Sequence, residues 1–465
     1  MRVKVLATWV SLLSLVALLF AARGAPADPP SGSVPQPDES VLGTVDVNGS
    51  AGGLPPLPKM GVVPIIFTGQ ADSIVNLVVR GDMRLSGQFD VLEDNVSPPG
   101  PFTPTSSIDL FGWRDVGAEY VLRVYARAAP EDSSKTELVG EAYVTPTAAQ
   151  SAAQRAKLAA NPSATVPDAK PAFQTVVKTA TTEVRAASHR LVDVLLGALT
   201  GRPGGFESAM TYAQKVGHWR RVFALDADGF DLHSVGPTNA TAISPSFGPG
   251  GEIFYALSTD YSPFHMAVGQ SGAPVPVAIP GSIMGLAFSP DRTRLALTAM
   301  DAGQSHLWVA DRGVFQEKDA PPFANHPVFG PMGKMAFIAG SPVQRVYIDG
   351  KPVSPAGFMA SAPVFCDTPQ GLLVVFTVGV GTGADIIATD TSGGGLRRLT
   401  QHEGANTYAA CSPDGRLVSF FSTGKKGAGA GLFIMPIQRP WLAKKISSEV
   451  GESLKWDALP AARAQ

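Results

Sequence analysis

Few residues in this chain have the types and spacing that chemistry requires. The seven histidines include no His-x-x-x-His or Glu-x-x-His pair, the spacings that bring zinc ligands together. The chain also contains no Gly-x-Ser-x-Gly segment, the elbow that presents a hydrolase nucleophile. We therefore expect no metal ion and no cofactor, and no catalytic residue stands out, with paired catalytic carboxylates left open by the sequence.

Two segments resemble ligand-binding loops but depart from the patterns that bind ligands. Residues 226–231 (DADGFD) resemble a calcium loop, yet the distal glutamate of an EF-hand is missing. Residues 378–385 resemble a nucleotide loop, but Ala384 stands where the Gly-x-Gly-x-x-Gly pattern requires glycine. Both segments are predicted to be turns between strands.

The composition argues against two further classes of function. Lysine and arginine number 37 against 39 acidic residues, so the net charge is −2. This balance does not favour binding to nucleic acid or to an acidic membrane surface. The 465 residues suffice for two or three domains, and the 49 glycines and 40 prolines indicate many turns, as in all-β folds.

The first 58 residues are predicted to lie outside the folded domains. A basic start, an apolar run over residues 5–20 and small residues up to Ala27 are typical of a secretory signal peptide, residues 1–27. The apolar run is shorter than the roughly 20 residues that span a bilayer. Residues 28–58, rich in proline, glycine and serine, are predicted to form a flexible arm. We expect an exported, soluble protein.

Residues 59–205 are predicted to form an α/β domain. Strand-like stretches occur at residues 59–67, 119–126 and 136–144, and residues 71–89 have apolar positions on one helical face. Strands packed against helices therefore precede the second half of the chain.

The longest predicted helix covers residues 173–199. Its apolar residues are spaced alternately by four and three, which places one stripe along one side. Gly201 follows, a residue type that commonly ends helices. The alanine-rich residues 147–170 before this helix are predicted to be loop.

The second half of the chain repeats one pattern of strand, turn and strand. Each copy has an anchor residue before its turn, and successive anchors are separated by 41, 41, 36, 46 and 45 residues. The anchors are Phe247, Phe288, Phe329, Phe365, Cys411 and Trp456. A period near 41 residues with about four short strands indicates a β-propeller. We predict six blades over residues 206–465.

Trp456 is followed by too few residues for a complete blade. The missing strands are present before the first repeat, at residues 209–214 and 220–235. The last blade is therefore predicted to combine strands from both ends of the propeller, which leaves no long free sheet edge. The turn at residues 412–415 (SPDG) is predicted to be structural, because these residue types favour tight turns.

The two cysteines are predicted to be free and buried, with a disulfide between them as the alternative. Cys411 is itself an anchor, whereas Cys366 follows the anchor of the neighbouring blade. Adjacent positions of a strand point to opposite faces, so the two side chains are expected to be out of phase.

Both predicted domains resemble the TolB family of the Tol-Pal cell-envelope system. The matching stretches include VVRGDMRLSGQFDVL, GAEYVLRVYA and FALDADGFD. The most specific part is His189 and Asp193 at His-x-x-x-Asp spacing, followed by Leu-Thr-Gly ending at Gly201 and by Phe206. We expect these residues and Trp456 to have structural roles.

The resemblance implies an α+β N-terminal domain followed by an all-β six-bladed β-propeller, in a non-enzymatic protein of the periplasm. Family members bind Pal, the peptidoglycan-associated lipoprotein, through one propeller face. Their N-terminal segment and domain are linked to TolA and other Tol membrane proteins. The system supports outer-membrane integrity and cell division, and some colicins exploit the same surface. We expect a monomer that reaches the membrane only through its partners.

The residues expected to contact a Pal-type partner lie in loops that lead into the first strand of each blade. By the resemblance, they are Ser282, Gly285, Asn325, His326, Asn406 and Tyr408. Loops on a rigid propeller vary without disturbing the blades. Two alternatives stay open: a propeller hydrolase or lyase with its active site in the channel, and a structural envelope protein without a fixed partner.

Overall fold

The fold combines a mixed α/β sheet with a ring of antiparallel sheets. The structure, a computed structural model, describes residues 37–44, 53–66, 69–100, 102–161, 163, 168–401, 404–425 and 427–457. The predicted signal peptide, residues 1–27, and the first part of the predicted arm lie outside the described residues. Across the described ranges, none of the helices combines the length and apolarity needed to cross a membrane.

A five-stranded sheet forms the centre of the N-terminal domain. Its strands are β1 (Lys59–Val62), β2 (Asp90–Val91), β3 (Tyr120–Ala129), β4 (Asp132–Val144) and β5 (Phe173–Ala180). In space their order is β2-β1-β3-β4-β5. β1 pairs in parallel with β2 and β3, whereas β3, β4 and β5 pair in antiparallel fashion. The sheet is therefore mixed.

Helices pack on this sheet through their apolar sides. The helices are α1 (Gln70–Leu85), α2 (Leu110–Asp115), α3 (Ala148–Ala160) and α4 (Val184–Thr200). α1 and α4 pack against each other and against one face of the sheet, with Val79 and Leu191 in the shared core. A second core around Trp113 and Tyr143 fills the other face. α4 ends at Gly201, which adopts the left-handed conformation with φ 79°.

The predicted helix over residues 173–199 is wrong in its first part. Residues 173–180 form strand β5, and the helix begins only at Val184. All eight residues of β5 pair with β4, and Val177 and Thr179 point inward with exposed residues between them. As a strand, residues 173–180 form backbone hydrogen bonds with the free edge of β4, which would stay unpaired if these residues were helical. The β-branched valines and threonines of this segment also favour a strand.

Residues 147–170, predicted to be loop, contain helix α3. Thr147 and Gln150 form a capping box at its start, because the Thr147 side chain accepts from the Gln150 N–H at 3.3 Å and the Gln150 side chain accepts from the Thr147 N–H at 2.8 Å. This cap and the alanine content stabilise a helix that packs little of its surface.

The described residues from Ala209 onward form six four-stranded antiparallel sheets. The first strands in the chain are β6 (Ala209–Val216), β7 (Trp219–Asp226) and β8 (His233–Val235). Blade 1 contains β9 (Thr241–Phe247), β10 (Ile253–Ser258), β11 (His265–Val268) and β12 (Ala273–Pro274). Blade 2 contains β13 (Ser282–Phe288), β14 (Arg294–Asp301), β15 (Gln304–Asp311) and β16 (Val314–Lys318). Blade 3 contains β17 (Asn325–Phe329), β18 (Met335–Ala339), β19 (Arg345–Ile348) and β20 (Lys351–Pro352).

The remaining blades complete the ring. Blade 4 contains β21 (Ala360–Thr368), β22 (Gly371–Val380), β23 (Gly383–Asp390) and β24 (Arg397–Arg398). Blade 5 contains β25 (Asn406–Cys411), β26 (Leu417–Lys425), β27 (Gly429–Pro436) and β28 (Lys444–Ser447). Blade 6 combines β29 (Glu452–Trp456) with β6, β7 and β8. The first strand of each blade, here called the inner strand, lines the central channel.

Blade 6 joins the two ends of the propeller, the arrangement that the sequence predicts. β29 pairs with β6 so that Trp456 lies opposite Met210 and Lys455 opposite Thr211. The Trp456 Nε1 also donates a hydrogen bond to the Ser208 Oγ at 2.7 Å.

The prediction of two free cysteines is wrong, because Cys366 and Cys411 form a disulfide, with their Cα atoms 5.5 Å apart. They lie on β21 and β25, the inner strands of neighbouring blades. Neighbouring blades turn opposite sheet faces toward each other, so residues of opposite phase meet between them. The sequence argument took opposite phase as a reason against a disulfide, whereas opposite phase is what brings the two sulfur atoms together.

Part of the predicted flexible arm packs on the propeller. Glu39–Leu42 form a 3₁₀ helix, and Leu42 is fully buried in an apolar cluster of blades 3 and 4. The Glu39 Oε2 lies 3.8 Å from the Arg398 Nη2 on blade 4. The described residues from Glu39 onward belong to one compact unit.

Candidate protein-binding face

The two faces of the propeller differ in the connections that they carry. Each inner strand is preceded by a loop at one face and followed by a tight turn at the other. We call these the loop face and the turn face. The N-terminal domain contacts the turn face, where Arg416, after the turn of blade 5, donates from its Nη2 to the Thr200 Oγ1 at 2.7 Å.

Each inner strand has a β-bulge in its first half. Its pairing shifts register at equivalent places in all six blades. Five residues at these bulges have φ angles between 47° and 57°, namely Ser244, His326, Ala362, Tyr408 and Ser453. Positive φ is unfavourable for residues other than glycine, and a bulge changes the direction of the side chains around it. The ring of bulges therefore sets where the side chains near the loop face point.

His326 and Tyr408 point into the channel. They lie on the inner strands of blades 3 and 5, with blade 4 between them, yet their ring centroids are 6.4 Å apart. Burial and the positive charge of Lys455 lower the pKa of His326 to about 4, which keeps its imidazole neutral at pH 7. Burial, followed by the carboxylate of Glu452, raises the pKa of Tyr408. The two side chains present neutral, flat surfaces inside the channel.

Asn325 and Asn406, two further residues expected to contact a partner, connect neighbouring blades. The Asn325 Oδ1 accepts a hydrogen bond from the Thr298 Oγ1 of blade 2 at 2.9 Å. The Asn406 Nδ2 donates to the Asp385 Oδ1 of blade 4 at 3.3 Å. These bonds hold the inner strands in place, while the buried Asn406 Oδ1 has no hydrogen-bond partner among the described residues.

Ser282 and Gly285 have a comparable setting on blade 2. The Ser282 Oγ accepts from the Phe264 N–H of blade 1 at 2.9 Å. A Cβ atom on Gly285 would lie 2.7 Å from the Thr298 Oγ1 and 2.8 Å from the Asn325 Oδ1, so glycine leaves room for the bond between them. The structure thus brings His326 and Tyr408 together in the channel and places the other four residues in the contacts that position the loops.

Sequence reasoning missed a group of exposed apolar side chains on the loop face. They are Tyr261, Met300, Phe323, Met359 and Val450. Tyr261 is 97% exposed, and the other four are between 36% and 51% exposed. Large apolar side chains are also exposed on the turn face, among them Val314 and Met332, so the loop-face residues are candidates for protein contact and do not by themselves define a site. Their signal in the sequence is an apolar residue inside or beside a loop of polar residues, glycine and proline.

A groove of about 730 Å³ borders Phe323 on the loop face. Its walls include His306 and Glu317, whose Nδ1 and Oε1 atoms are 2.6 Å apart. A groove of this size is within the range that encloses a ligand or a segment of a partner.

His189 lies in a polar cluster where the N-terminal domain meets the propeller. From α4, its Nδ1 is 2.6 Å from the Asp82 Oδ2 on α1. Its Nε2 is 3.9 Å from the Oδ2 atoms of both Asp226 and Asp228, which precede β8. Arg185 forms ion pairs with these same two aspartates. The cluster therefore joins two helices to blade 6.

Burial and charge act in opposite directions on His189. Burial alone lowers the pKa of His189, but the carboxylates of Asp82, Asp228 and Asp226 outweigh burial, so the pKa is raised. Burial also raises the pKa of Asp82 to about 6, against the opposing effect of His189. The pair therefore binds a proton more tightly than the isolated groups do.

Within the described ranges, Asp82, His189 and Asp228 are the group whose potential metal-binding atoms lie within 4.8 Å of one another. The Asp228 Oδ2 that faces His189 is also the atom that pairs with Arg185. A guanidinium group at this oxygen disfavours a metal cation. We therefore assign the group to ion pairing between the domains.

Asp193 directs the chain from α4 into the propeller. Its two carboxylate oxygens accept hydrogen bonds from the backbone N–H groups of Phe206 at 2.9 Å and Glu207 at 2.8 Å. Gly204 passes so close that a Cβ atom would lie 2.3 Å from the Asp193 Oδ1. Phe206 is buried in the core that contains α1 and α4.

Several curated relatives of this chain share the name Tol-Pal system protein TolB. Residues 50–138 match the family model of the TolB amino-terminal domain. The Tol-Pal system protein TolB of Thiobacillus denitrificans is 27% identical over 207 residues, which cover 42% of this chain and 40% of that protein. The Tol-Pal system protein TolB of Anaeromyxobacter dehalogenans strain 2CP-C is 25% identical over 307 residues, which cover 64% of this chain and 61% of that protein. The matched regions thus span about 40% to 61% of the relatives' own length.

A solved structure shows the same fold. TolB from Acinetobacter baumannii aligns with a TM-score of 0.67 over 87% of this chain and 97% of that chain, at 18% identity. This alignment supports the fold of the present chain, an α/β region followed by a six-bladed propeller. Together with the match in the N-terminal domain, these relatives confirm the resemblance of this chain to the TolB family.

Proposed function

We propose that the protein is a periplasmic protein-binding scaffold of the Tol-Pal system, which binds a Pal-type lipoprotein on the loop face of its propeller. The curated relatives carry the name of this system. Through that partner, the protein supports outer-membrane integrity and cell division.

The observation that carries the proposal is the group of exposed apolar side chains on the loop face. Tyr261, Phe323 and Met359 are exposed on the loop face, and the rings of His326 and Tyr408 lie 6.4 Å apart in the channel. Aromatic and methionine side chains are enriched at protein interfaces. The residues that contribute most of the binding energy lie near the well-packed centre of an interface. The bulges and the hydrogen bonds between blades hold the backbone of this face in place. Binding therefore costs little conformational entropy of the backbone.

The shared name of the relatives supports binding over catalysis. They are proteins of the Tol-Pal system named TolB, a name that points to a scaffold. The non-enzymatic role is therefore the one that we propose.

We also propose that TolA or another Tol membrane protein binds through the N-terminal arm and domain. That domain packs on the turn face, so the two partner surfaces lie apart on the molecule. A colicin that exploits the Pal-binding surface would compete with the lipoprotein on the loop face. We propose that the protein acts as a monomer in these complexes.

The test measures binding of the soluble domain of the Pal-type lipoprotein from the same organism by calorimetry. The variant Tyr261→Ala with Phe323→Ala removes two large side chains from the loop face. We expect the Kd to rise at least tenfold, because large aromatic side chains that act as hot spots contribute about 2 kcal/mol or more each.

The matched control is Val314→Ala with Met332→Ala. Both side chains are exposed, at 67% and 86%, but they lie on the turn face. We expect this variant to bind as tightly as the unchanged protein. Absence of binding by the unchanged protein, or an equal loss in both variants, would contradict the proposal.

A further inference from the structure

A cavity of about 310 Å³ lies where the channel opens on the turn face. It is surrounded by an aromatic collar made of five of the six anchors, namely Phe247, Phe288, Phe329, Phe365 and Trp456. The sixth anchor, Cys411, is bound in the disulfide. The collar lies on the face opposite the proposed protein-binding surface, the same face that the N-terminal domain contacts at Arg416.

The residue before each anchor also lines the cavity. These six residues are Ser246, Ala287, Val328, Val364, Ala410 and Lys455. Five of them are small or apolar, and the sixth is a lysine. A single positive charge therefore stands in an otherwise apolar layer of the channel.

Lys455 lacks a counter-charge. In the part of the chain that the structure describes, its ammonium group makes no hydrogen bond or ion pair. Burial alone lowers the pKa of Lys455 to about 8, so the group is still mostly protonated at pH 7. His326, which faces the same channel, is neutral at this pH. Lys455 is half-buried in this apolar layer and has no counter-charge from the described residues of the protein, which makes this position attractive for an anion.

The acidic side chains that line the cavity are already paired. Asp457 forms an ion pair with Arg292. The Asp367 Oδ2 lies 3.7 Å from the Arg202 Nη2. Among the described residues, Lys455 is therefore the cation at this cavity that has no acidic partner. The two arginine side chains are already paired, so they do not offer the several simultaneous hydrogen bonds that a phosphate would require.

We propose that this cavity binds a small ligand with one carboxylate group and an apolar body. The carboxylate pairs with the ammonium of Lys455, and the body packs against the aromatic collar. One lysine balances one negative charge, and the cavity volume lies at the lower end of the range for small-molecule sites. The cavity opens on the face opposite the proposed Pal-binding surface, Lys455 also acts on His326 in the channel, and the proposal does not rest on Pal binding.

The test uses octanoate as the probe and octanamide as its neutral counterpart, with binding to the full exported chain measured by calorimetry. We expect octanoate to bind and octanamide to bind at least tenfold more weakly, because only the carboxylate pairs with Lys455. The octanoate affinity should fall between pH 7 and pH 9.5 as Lys455 loses its proton. Equal affinity for the two probes, or no binding of octanoate, would overturn the proposal.

Three variants locate the site. Lys455→Met should weaken octanoate binding at least tenfold, whereas Lys455→Arg keeps the charge and should retain most of the affinity. The control is Lys334→Met on the same face, since the Lys334 Nζ already lies 3.7 Å from the Asp349 Oδ2. Unchanged affinity in Lys455→Met, or an equal loss in Lys334→Met, would contradict the assignment. Cooperative thermal unfolding of each variant shows that it is folded.

Discussion

At the scale of single residues, Asp193 shows how one side chain fixes the path between two domains. It is almost fully buried and satisfies two backbone N–H groups of the segment that enters the propeller. Backbone N–H groups that lose such partners inside a protein cost about 1–3 kcal/mol each. The Asp193 side chain therefore contributes to stability by holding the segment that connects the two domains, and it has no role at the exposed surface.

We expect Asp193→Ala to lower the free energy of unfolding by about 2–4 kcal/mol, because the N–H groups of Phe206 and Glu207 lose their acceptors. Urea unfolding followed by circular dichroism measures the change. Glu131→Ala is the control, because its side chain is 84% exposed, and it should stay within about 0.5 kcal/mol of the unchanged protein. A loss below about 1 kcal/mol in Asp193→Ala would show that solvent replaces the carboxylate.

At the scale of elements, the cluster around His189 couples α1 and α4 to the segment before β8. The pKa values of His189 and Asp82 are both raised in the folded chain. A raised pKa means that the folded state binds the proton more tightly than the unfolded state, so the contribution to stability is present at low pH and is lost as pH rises. Asp226 has a raised pKa as well, chiefly from burial, and acts in the same direction.

We expect this cluster to make the protein less stable as pH rises. The part that comes from Asp82 is lost between about pH 4 and pH 6, and the part that comes from His189 is lost above about pH 6.5, as pH passes through its raised pKa. Each extra proton held by the folded state contributes up to about 1.4 kcal/mol per pH unit. Urea unfolding from pH 5 to pH 8.5 measures this slope.

The variant His189→Gln should flatten the slope above pH 6.5, because its side chain does not titrate. His306→Gln is the control, since His306 lies on β15 in a pair with Glu317 away from the domain contact. An unchanged slope in His189→Gln would mean that other groups dominate the pH dependence.

At the scale of the whole molecule, stability depends on the blade that joins both ends of the propeller. β29 supplies the inner strand of blade 6, with Leu454 buried and Trp456 partly buried against its neighbours. The disulfide between Cys366 and Cys411 adds a covalent link between blades 4 and 5. A closed ring of sheets hides the inner edges that would otherwise pair with other chains.

We expect deletion of residues 452–465 to remove cooperative unfolding and to cause aggregation. The deletion exposes the edge of β6 and removes side chains whose burial contributes about 5 kcal/mol or more, a large part of the stability of a typical domain. Size-exclusion chromatography and calorimetry measure both effects. Deletion of residues 458–465, which keeps β29, is the control for a shortened C-terminus. A monomeric, cooperatively unfolding product of the longer deletion would show that blade 6 holds without its inner strand.

The sequence by itself determined the repeat. Anchors such as Phe247 and Phe288 and the turns after them arise from the local geometry of short strands and tight turns, which neighbouring residues set. Spacing along the chain was also sufficient to detect two further features. They are the family resemblance around His189 and Asp193 and the last blade shared between the two ends of the propeller.

Only the tertiary structure decided which residues from different blades meet. Cys366 reaches Cys411 because adjacent blades turn opposite faces together, and His326 meets Tyr408 because both point into one channel. Residues 173–180 became a strand because the edge of β4, distant in the chain, was free to pair. Lys455 stands alone for a similar reason, since its neighbours come from five other inner strands. Such contacts depend on the relative orientation of sheets, which no local pattern in the chain records.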